Sequence, residues 1–167
     1  PLAFSVAGGD AASALASANA IVAKALPSHP NTCAIVEGAV KAALKENGLS
    51  EDLYSIVQGR DPKISQWLAM HPAIKAIGFT GSEHVGRILV NFAASRKEPI
   101  PVYAEMGSLN PVFVTQSAIN ERSEALAKGL VDSALLGSGQ FCTKPGLIFA
   151  PKDETFIATI TGYLQTL

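Results

Sequence analysis

Short apolar runs of strand length alternate along this chain with stretches whose apolar residues recur at helical spacing, and glycine, proline and asparagine stand at the joins. That alternation leaves few folds open. Strands separated by a helix return to the same end of a sheet and lie parallel, so the chain is expected to form an open parallel α/β sheet with flanking helices.

Helices are predicted over Gly9–Ala18, from Thr32 to the turn at Gly48, and over Ile64–Ala69, Glu83–Ser95 and Glu121–Leu136. Strands are predicted at Ala20–Ala23, Tyr54–Val57, Ile74–Thr80, Val102–Glu105, Val112–Thr115 and Leu147–Ala150. Pro27, Pro30 and Asn31 predict a loop between the first strand and the second helix. No internal repeat or low-complexity linker marks a domain boundary.

The 167 residues would suit one self-sufficient domain, yet their composition does not. With glycine counted and tyrosine left out, about 55% are apolar, against roughly 45–50% in typical soluble domains. Only 16% are charged, where about 25% is usual. Such a chain reads as the inside of something larger. A net charge of −1, with no basic cluster, argues against nucleic acid as a partner. The longest uncharged apolar stretch, between Asp10 and Lys24, falls short of the roughly 20 residues that span a bilayer, so no membrane role is expected. Pro1 opens the sequence without a basic segment, and no signal peptide is expected. Two cysteines, Cys33 and Cys142, do not require a disulfide in a chain of this size, which favours a reducing, cytoplasmic setting.

Four places can carry chemistry. In Gly137-Ser138-Gly139-Gln140-Phe141-Cys142-Thr143 a thiol follows a flexible loop whose backbone N–H groups can meet a developing oxyanion. Cys142 reads either as a nucleophile in that loop or as an ordinary buried cysteine, and Cys33, on an amphipathic helix, reads as core. Glu105 ends an apolar strand before Met106-Gly107; burial there would make it a general base, and exposure a solvated strand-end acid. Phe79-Thr80-Gly81-Ser82 joins a strand to a helix and offers N–H donors to a phosphate, although Ser82 as a plain N-cap explains the turn equally well. Lys24, after a short strand, reaches a ribose or phosphate or merely extends to solvent. His29, His71 and His84 lack metal-ligand spacing, so no metal site is expected.

Taken in order, Phe79-Thr80-Gly81-Ser82, Glu105-Met106-Gly107-Ser108-Leu109-Asn110-Pro111 and Gly139-Gln140-Phe141-Cys142 resemble the aldehyde dehydrogenase superfamily. The opening ten residues, with Pro101 to Ser108, are most similar to the branch containing 2,5-dioxovalerate (α-ketoglutaric semialdehyde) dehydrogenases and NADP-dependent fatty aldehyde dehydrogenases. The resemblance implies a Rossmann-like cofactor-binding domain over residues 1–105 and the beginning of a second α/β catalytic domain over 106–167. It implies that Cys142 attacks an aldehyde to give a thiohemiacetal, which yields a hydride to the nicotinamide and becomes a thioester. Glu105 then activates the hydrolytic water, and the Cys142 N–H serves the oxyanion. Gly81 and Ser82 match the turn that approaches the cofactor pyrophosphate, and Lys24 the lysine at the adenosine ribose.

Departures from the family pattern refine this picture. NAD-preferring members carry a glutamate three residues after the matching lysine; Pro27 stands there, followed by Ser28. Without that carboxylate a 2′-phosphate is not repelled and Ser28 can donate to it, so NADP is the expected cofactor, with NAD possible. Ser108 replaces the second glycine, and Leu109 the lysine, of the Glu-Leu-Gly-Gly-Lys motif. Family members are considerably longer and form homo-oligomers, so the chain is expected to be a central fragment, whose isolated activity would be weak. Two other classes fit the same residues: a non-catalytic association module needing a partner chain, and a cofactor-free thiol esterase using Cys142.

Overall fold

A computed structural model describes residues 3–166. The chain divides into two compact units, one running to Met106 and one from Gly107 onward. Each is built from strand–helix–strand crossovers, and each crossover closes a parallel two-stranded ladder.

In the first unit, after a 3-10 turn at Ala3–Ala7, helix α1 (Gly9–Ala16) leads to β1 (Ile21–Lys24), which pairs with β2 (Tyr54–Val57) from Ile21 opposite Tyr54 to Lys24 opposite Val57. The crossover is α2 (Pro30–Glu46). Helix begins at Pro30, where a loop was expected, because proline in the first turn sacrifices only an N–H that has no partner there and presets the helical φ. Glu37 on α2 accepts the Ile56 N–H at 3.2 Å and pairs with Lys41 at 2.9 Å, covering part of the open edge of β2. Chiefly the Lys41 hydrogen bond holds the Glu37 carboxyl below its ordinary range. Tyr54 is fully buried beside Ala11 and Leu44, and its hydroxyl donates to the Val6 carbonyl at 2.8 Å.

A second crossover in this unit joins β3 (Ile77–Thr80) to β4 (Val102–Glu105) through α4 (Glu83–Ala94), after α3 (Lys63–Met70). The predicted strand from Ile74 starts three residues late because Ile74 N–H is engaged in a turn with the His71 carbonyl, at 3.1 Å. Arg96 donates to the last turn of α3 through the Ala69 carbonyl, at 3.1 Å.

The second unit pairs β5 (Pro111–Phe113) with β6 (Leu147–Phe149) across α5 (Gln116–Leu135), followed by α6 (Glu154–Gln165). Its core gathers Val114, Ile119, Ala127, Leu130 and Phe156. The Thr115 hydroxyl accepts the Ala118 N–H at 3.3 Å and starts α5 earlier than the sequence pattern suggests. Backbone angles leave the helical range at Arg122, φ −150° and ψ 42°, beside the expected start at Glu121. Helix α6, absent from the sequence reading, is capped by Asp153, which accepts the Phe156 N–H at 2.9 Å and a Gln116 amide hydrogen at 3.1 Å.

The apolar excess of the composition reappears as exposed large side chains. Phe113 and Phe149 stack with ring centres 5.0 Å apart while remaining 73% and 51% exposed.

Candidate active site

The three strand–turn features singled out in the first unit all lie at the carboxyl ends of parallel strands, where open α/β sheets leave backbone groups for ligands. Beyond β1 the chain turns through Pro27 and Ser28, with His29 N–H donating to the Leu26 carbonyl at 3.1 Å. Proline suits the second position of such a turn because its φ is already set. Lys24 Nζ donates to the Gly59 carbonyl at 3.3 Å and to the Ala25 carbonyl at 3.4 Å, linking the ends of β1 and β2. A groove of about 290 Å³ opens there, lined among others by Pro27, Pro30, Gln58, Gly59 and Arg60. Ser28 is exposed on the turn beside it.

At the end of β3, Gly81 N–H donates to the Glu105 carbonyl at 3.0 Å, extending the β3–β4 pairing by one bond. A Cβ at Gly81 would lie 2.6 Å from Cζ of Phe79, so any larger residue there would require that ring to move. Ser82 caps α4, its hydroxyl accepting the Val85 N–H at 3.4 Å. The cap satisfies one first-turn donor and leaves those of Glu83 and His84 without a backbone acceptor among the described residues. Glu83 itself is tied to Arg87 at 3.2 Å on the exposed face.

Glu105 ends β4 with its side chain exposed rather than buried, so it stands in the solvated setting of the two that the sequence left open. It shares a shallow groove with Asp10, Phe79, Thr80 and Tyr103. The structure therefore brings Gly81 and Glu105 together through their backbones and holds Lys24 on a separate ladder.

Cys142 belongs to the second unit. It is an exposed, free thiol, whereas Cys33 is buried in α2, as expected of a core cysteine. The loop before it is held in the left-handed region at three consecutive residues, Gly137 (φ +59°), Ser138 (φ +59°) and Gly139 (φ +69°). Glycine adopts that region without penalty; serine does so at a cost, which concentrates backbone strain one turn ahead of the thiol. Behind the thiol the chain is tied to the head of β5. Asn110 Nδ2 donates to the Cys142 carbonyl at 2.6 Å and to the Lys144 carbonyl at 2.9 Å, the Ser108 hydroxyl donates to the same Cys142 carbonyl, and Gly146 N–H donates to the Leu109 carbonyl at 2.8 Å. The backbone N–H groups of Cys142 and Thr143 have no backbone acceptor among the described residues. An exposed thiol beside open N–H donors suits nucleophilic attack on a carbonyl carbon.

The aldehyde dehydrogenase family profile matches residues 2–167. The chain belongs to the aldehyde dehydrogenase family. Among curated proteins it is 49% identical over 150 residues to alpha-ketoglutaric semialdehyde dehydrogenase 2 of Azospirillum brasilense, covering 90% of this chain and 29% of that one. It is 42% identical over 166 residues to an alpha-ketoglutaric semialdehyde dehydrogenase of Acinetobacter baylyi, covering 99% of this chain and 31% of the relative. A solved lactaldehyde dehydrogenase superposes with a TM-score of 0.82 at 27% identity, covering 99% of this chain and 33% of that one. The chain thus spans about three tenths of the length of the curated relatives it matches.

Two contributions are not legible from local sequence. Arg60 enters the groove at the end of β1 because β2 ends in parallel register with it, a pairing no local motif announces. Asn110 and Ser108 stand in a motif already singled out, but their partners are more than thirty residues away in sequence. No helix among the described residues is long and apolar enough to cross a membrane.

Proposed function

We propose that these residues belong to an enzyme that oxidises an aldehyde, of the semialdehyde class, to a carboxylate with NADP. The observation that carries the reading is the exposed Cys142 thiol, set in a strained loop with open backbone donors beside it, in a chain of this family. Cys142 Sγ, as thiolate, adds to the aldehyde carbon, and the oxygen, now anionic, is met by the Cys142 N–H. A bound nicotinamide would supply the acceptor for the hydride that this carbon gives up. Glu105, exposed in this structure, is assigned as the base by its match to the family motif and not by burial: it takes a proton from the water that then attacks the thioester carbon, releasing the carboxylate and returning the thiol.

Residues up to Glu105 form part of the cofactor-binding domain on this reading, and residues 106–167 begin the catalytic domain. The nucleotide fits the first unit: Lys24 and Arg60 supply cations at the ends of β1 and β2, and the first turn of α4 supplies N–H donors toward a pyrophosphate. Pro27 and Ser28 stand where a carboxylate would repel a 2′-phosphate, which favours NADP over NAD. The semialdehyde class is drawn from the relatives from A. brasilense and A. baylyi. A nucleophilic thiol must stay reduced, which suits a cytoplasmic enzyme. The exposed apolar side chains of both units suit burial in a homo-oligomer or against further segments of the same protein.

The test is reduction of NADP by the purified protein in the presence of α-ketoglutaric semialdehyde and of other aldehydes. Cys142→Ser is expected to abolish reduction, and Glu105→Gln to slow turnover by about 10²–10⁴ while a first equivalent of reduced cofactor still forms. Undiminished turnover in Cys142→Ser refutes the mechanism, and a clear preference for NAD refutes the cofactor assignment.

A further inference from the structure

Ser108 and Asn110 have no place in the chemistry assigned above, yet they hold the shortest polar contacts to the nucleophile loop. Accepting Cys142 as the nucleophile, we propose that Asn110 and Ser108 are positioning residues that clamp the peptide following Cys142 and thereby hold the thiol in register for attack.

The geometry is specific. The Cys142 carbonyl accepts two donors, Asn110 Nδ2 at 2.6 Å and the Ser108 hydroxyl. Asn110 spends its second hydrogen on the Lys144 carbonyl at 2.9 Å, so one carboxamide bridges two carbonyls of the same turn. Ser108 Oγ lies 3.1 Å from the same Nδ2 and shares one of those two hydrogens. Asn110 itself adopts φ +45°, the left-handed region that asparagine tolerates better than most residues, and this carries its side chain back over the loop. Residues 142–144 belong to no ladder among the described residues, and Lys144 N–H also donates to the Phe141 carbonyl at 3.2 Å.

Fixing the carbonyl of a residue fixes its ψ, and with it the direction in which the Cα–Cβ bond projects. The next N–H, across a trans peptide, then faces the opposite way, so the clamp turns the Thr143 N–H away from Asn110. An exposed thiol on an unclamped loop would sample many positions, and a misplacement of about 1 Å at a reacting centre costs up to about 10² in rate. Serine in place of the family's second glycine then has a purpose: it supplies the second donor to the Cys142 carbonyl.

Four variants test the clamp. Asn110→Asp keeps the size and tolerates the backbone angle but has no N–H to give; Asn110→Gly removes the side chain and relieves the backbone; Asn110→Ser retains one donor; Ser108→Gly removes one of the two donors at an exposed residue. The readouts are kcat and KM for NADP-dependent aldehyde oxidation, and peptide-level hydrogen exchange over residues 141–146. For Asn110→Asp and Asn110→Gly, kcat is expected to fall about 10–100-fold with KM for the dinucleotide within twofold, and exchange over 141–146 to accelerate. Asn110→Ser and Ser108→Gly should fall between these and the parent. If exchange accelerates while kcat stays within twofold, Asn110 serves folding alone and the proposal is overturned; unchanged exchange overturns it as well. Turnover surviving in Cys142→Ser overturns the nucleophile assignment and this proposal together. Loss of turnover in Cys142→Ser with unaffected Asn110 variants overturns this proposal alone.

Discussion

Replacing Gly146 by alanine should loosen the second unit at the point where the Cys142 loop rejoins the sheet. A Cβ at residue 146 would lie 2.6 Å from the Leu109 carbonyl oxygen, where real Cβ contacts essentially never fall below 3.0 Å and ordinary contact begins at 3.4 Å. The obstacle is backbone, so no rotamer change relieves it, and the two strands must part by about 0.4–0.8 Å. The same carbonyl accepts Gly146 N–H at 2.8 Å. Parting the strands stretches that bond to about 3.2–3.6 Å, at or past the limit of a useful hydrogen bond. Overpacking of this kind costs about 1–3 kcal/mol and the lost hydrogen bond about 1 kcal/mol. Alanine also restricts the unfolded chain, which returns about 0.4–1 kcal/mol. A net loss of about 1–3.5 kcal/mol is expected, and in a unit of this size each kcal/mol moves the midpoint by about 4–8 °C. Urea unfolding followed by circular dichroism reads the loss directly. Gly146→Ala within about 0.5 kcal/mol of the parent, at equal slope, would refute the reasoning, because an unstrained Cβ there requires the β5–β6 head to be looser than described.

Other outcomes follow from single contacts. Tyr54→Phe removes the buried hydroxyl that donates to the Val6 carbonyl at 2.8 Å, and should cost about 1–2 kcal/mol by chemical denaturation. Asp153 is held below the ordinary carboxylate range, first by the Phe156 N–H at the start of α6 and then by Gln116. Its contribution is therefore complete above that ordinary range and is lost as pH falls through the depressed folded value. The acid limb of a stability–pH profile should accordingly flatten in Asp153→Asn. If NADP binds as proposed, Arg60→Ala, which removes a cation from the groove at the ends of β1 and β2, should lower the NADP-to-NAD ratio of kcat/KM by about tenfold or more with turnover on NAD little changed; an unchanged ratio refutes that role for Arg60.

Much of this architecture was legible locally. Tyr54–Val57 and Val102–Glu105 are strands at their predicted bounds, because each is a β-favouring run closed by a turn. The helix expected from Thr32 forms along Ile35, Val36, Ala39, Val40 and Leu44, and reaches back to Pro30 only because proline is harmless in a first turn. Helix α6 went unread although Asp153 caps it, since Thr155, Thr159 and Thr161 dilute a helical signal that packing of Phe156 and Ile160 against α5 restores. At the site, Cys142 drew attention through its glycines and Glu105 through its strand end. The exposure of Glu105, the groove position of Arg60 and the grip of Asn110 on the thiol loop depend on pairings between distant residues, which spacing along one chain does not encode.

The three crossovers also bear on how the chain is made. Ile21 meets Tyr54, Ile77 meets Val102 and Pro111 meets Leu147, so no strand waits for more than about three dozen residues before its partner arrives. On a ribosome adding about 5–20 residues per second, each ladder has its second strand within seconds of its first, whatever is synthesised afterwards. Synthesis thus lays the molecule down as a series of closed loops. The last of them draws Cys142 onto Asn110 as soon as β6 has emerged, so the thiol loop is set by its own neighbourhood.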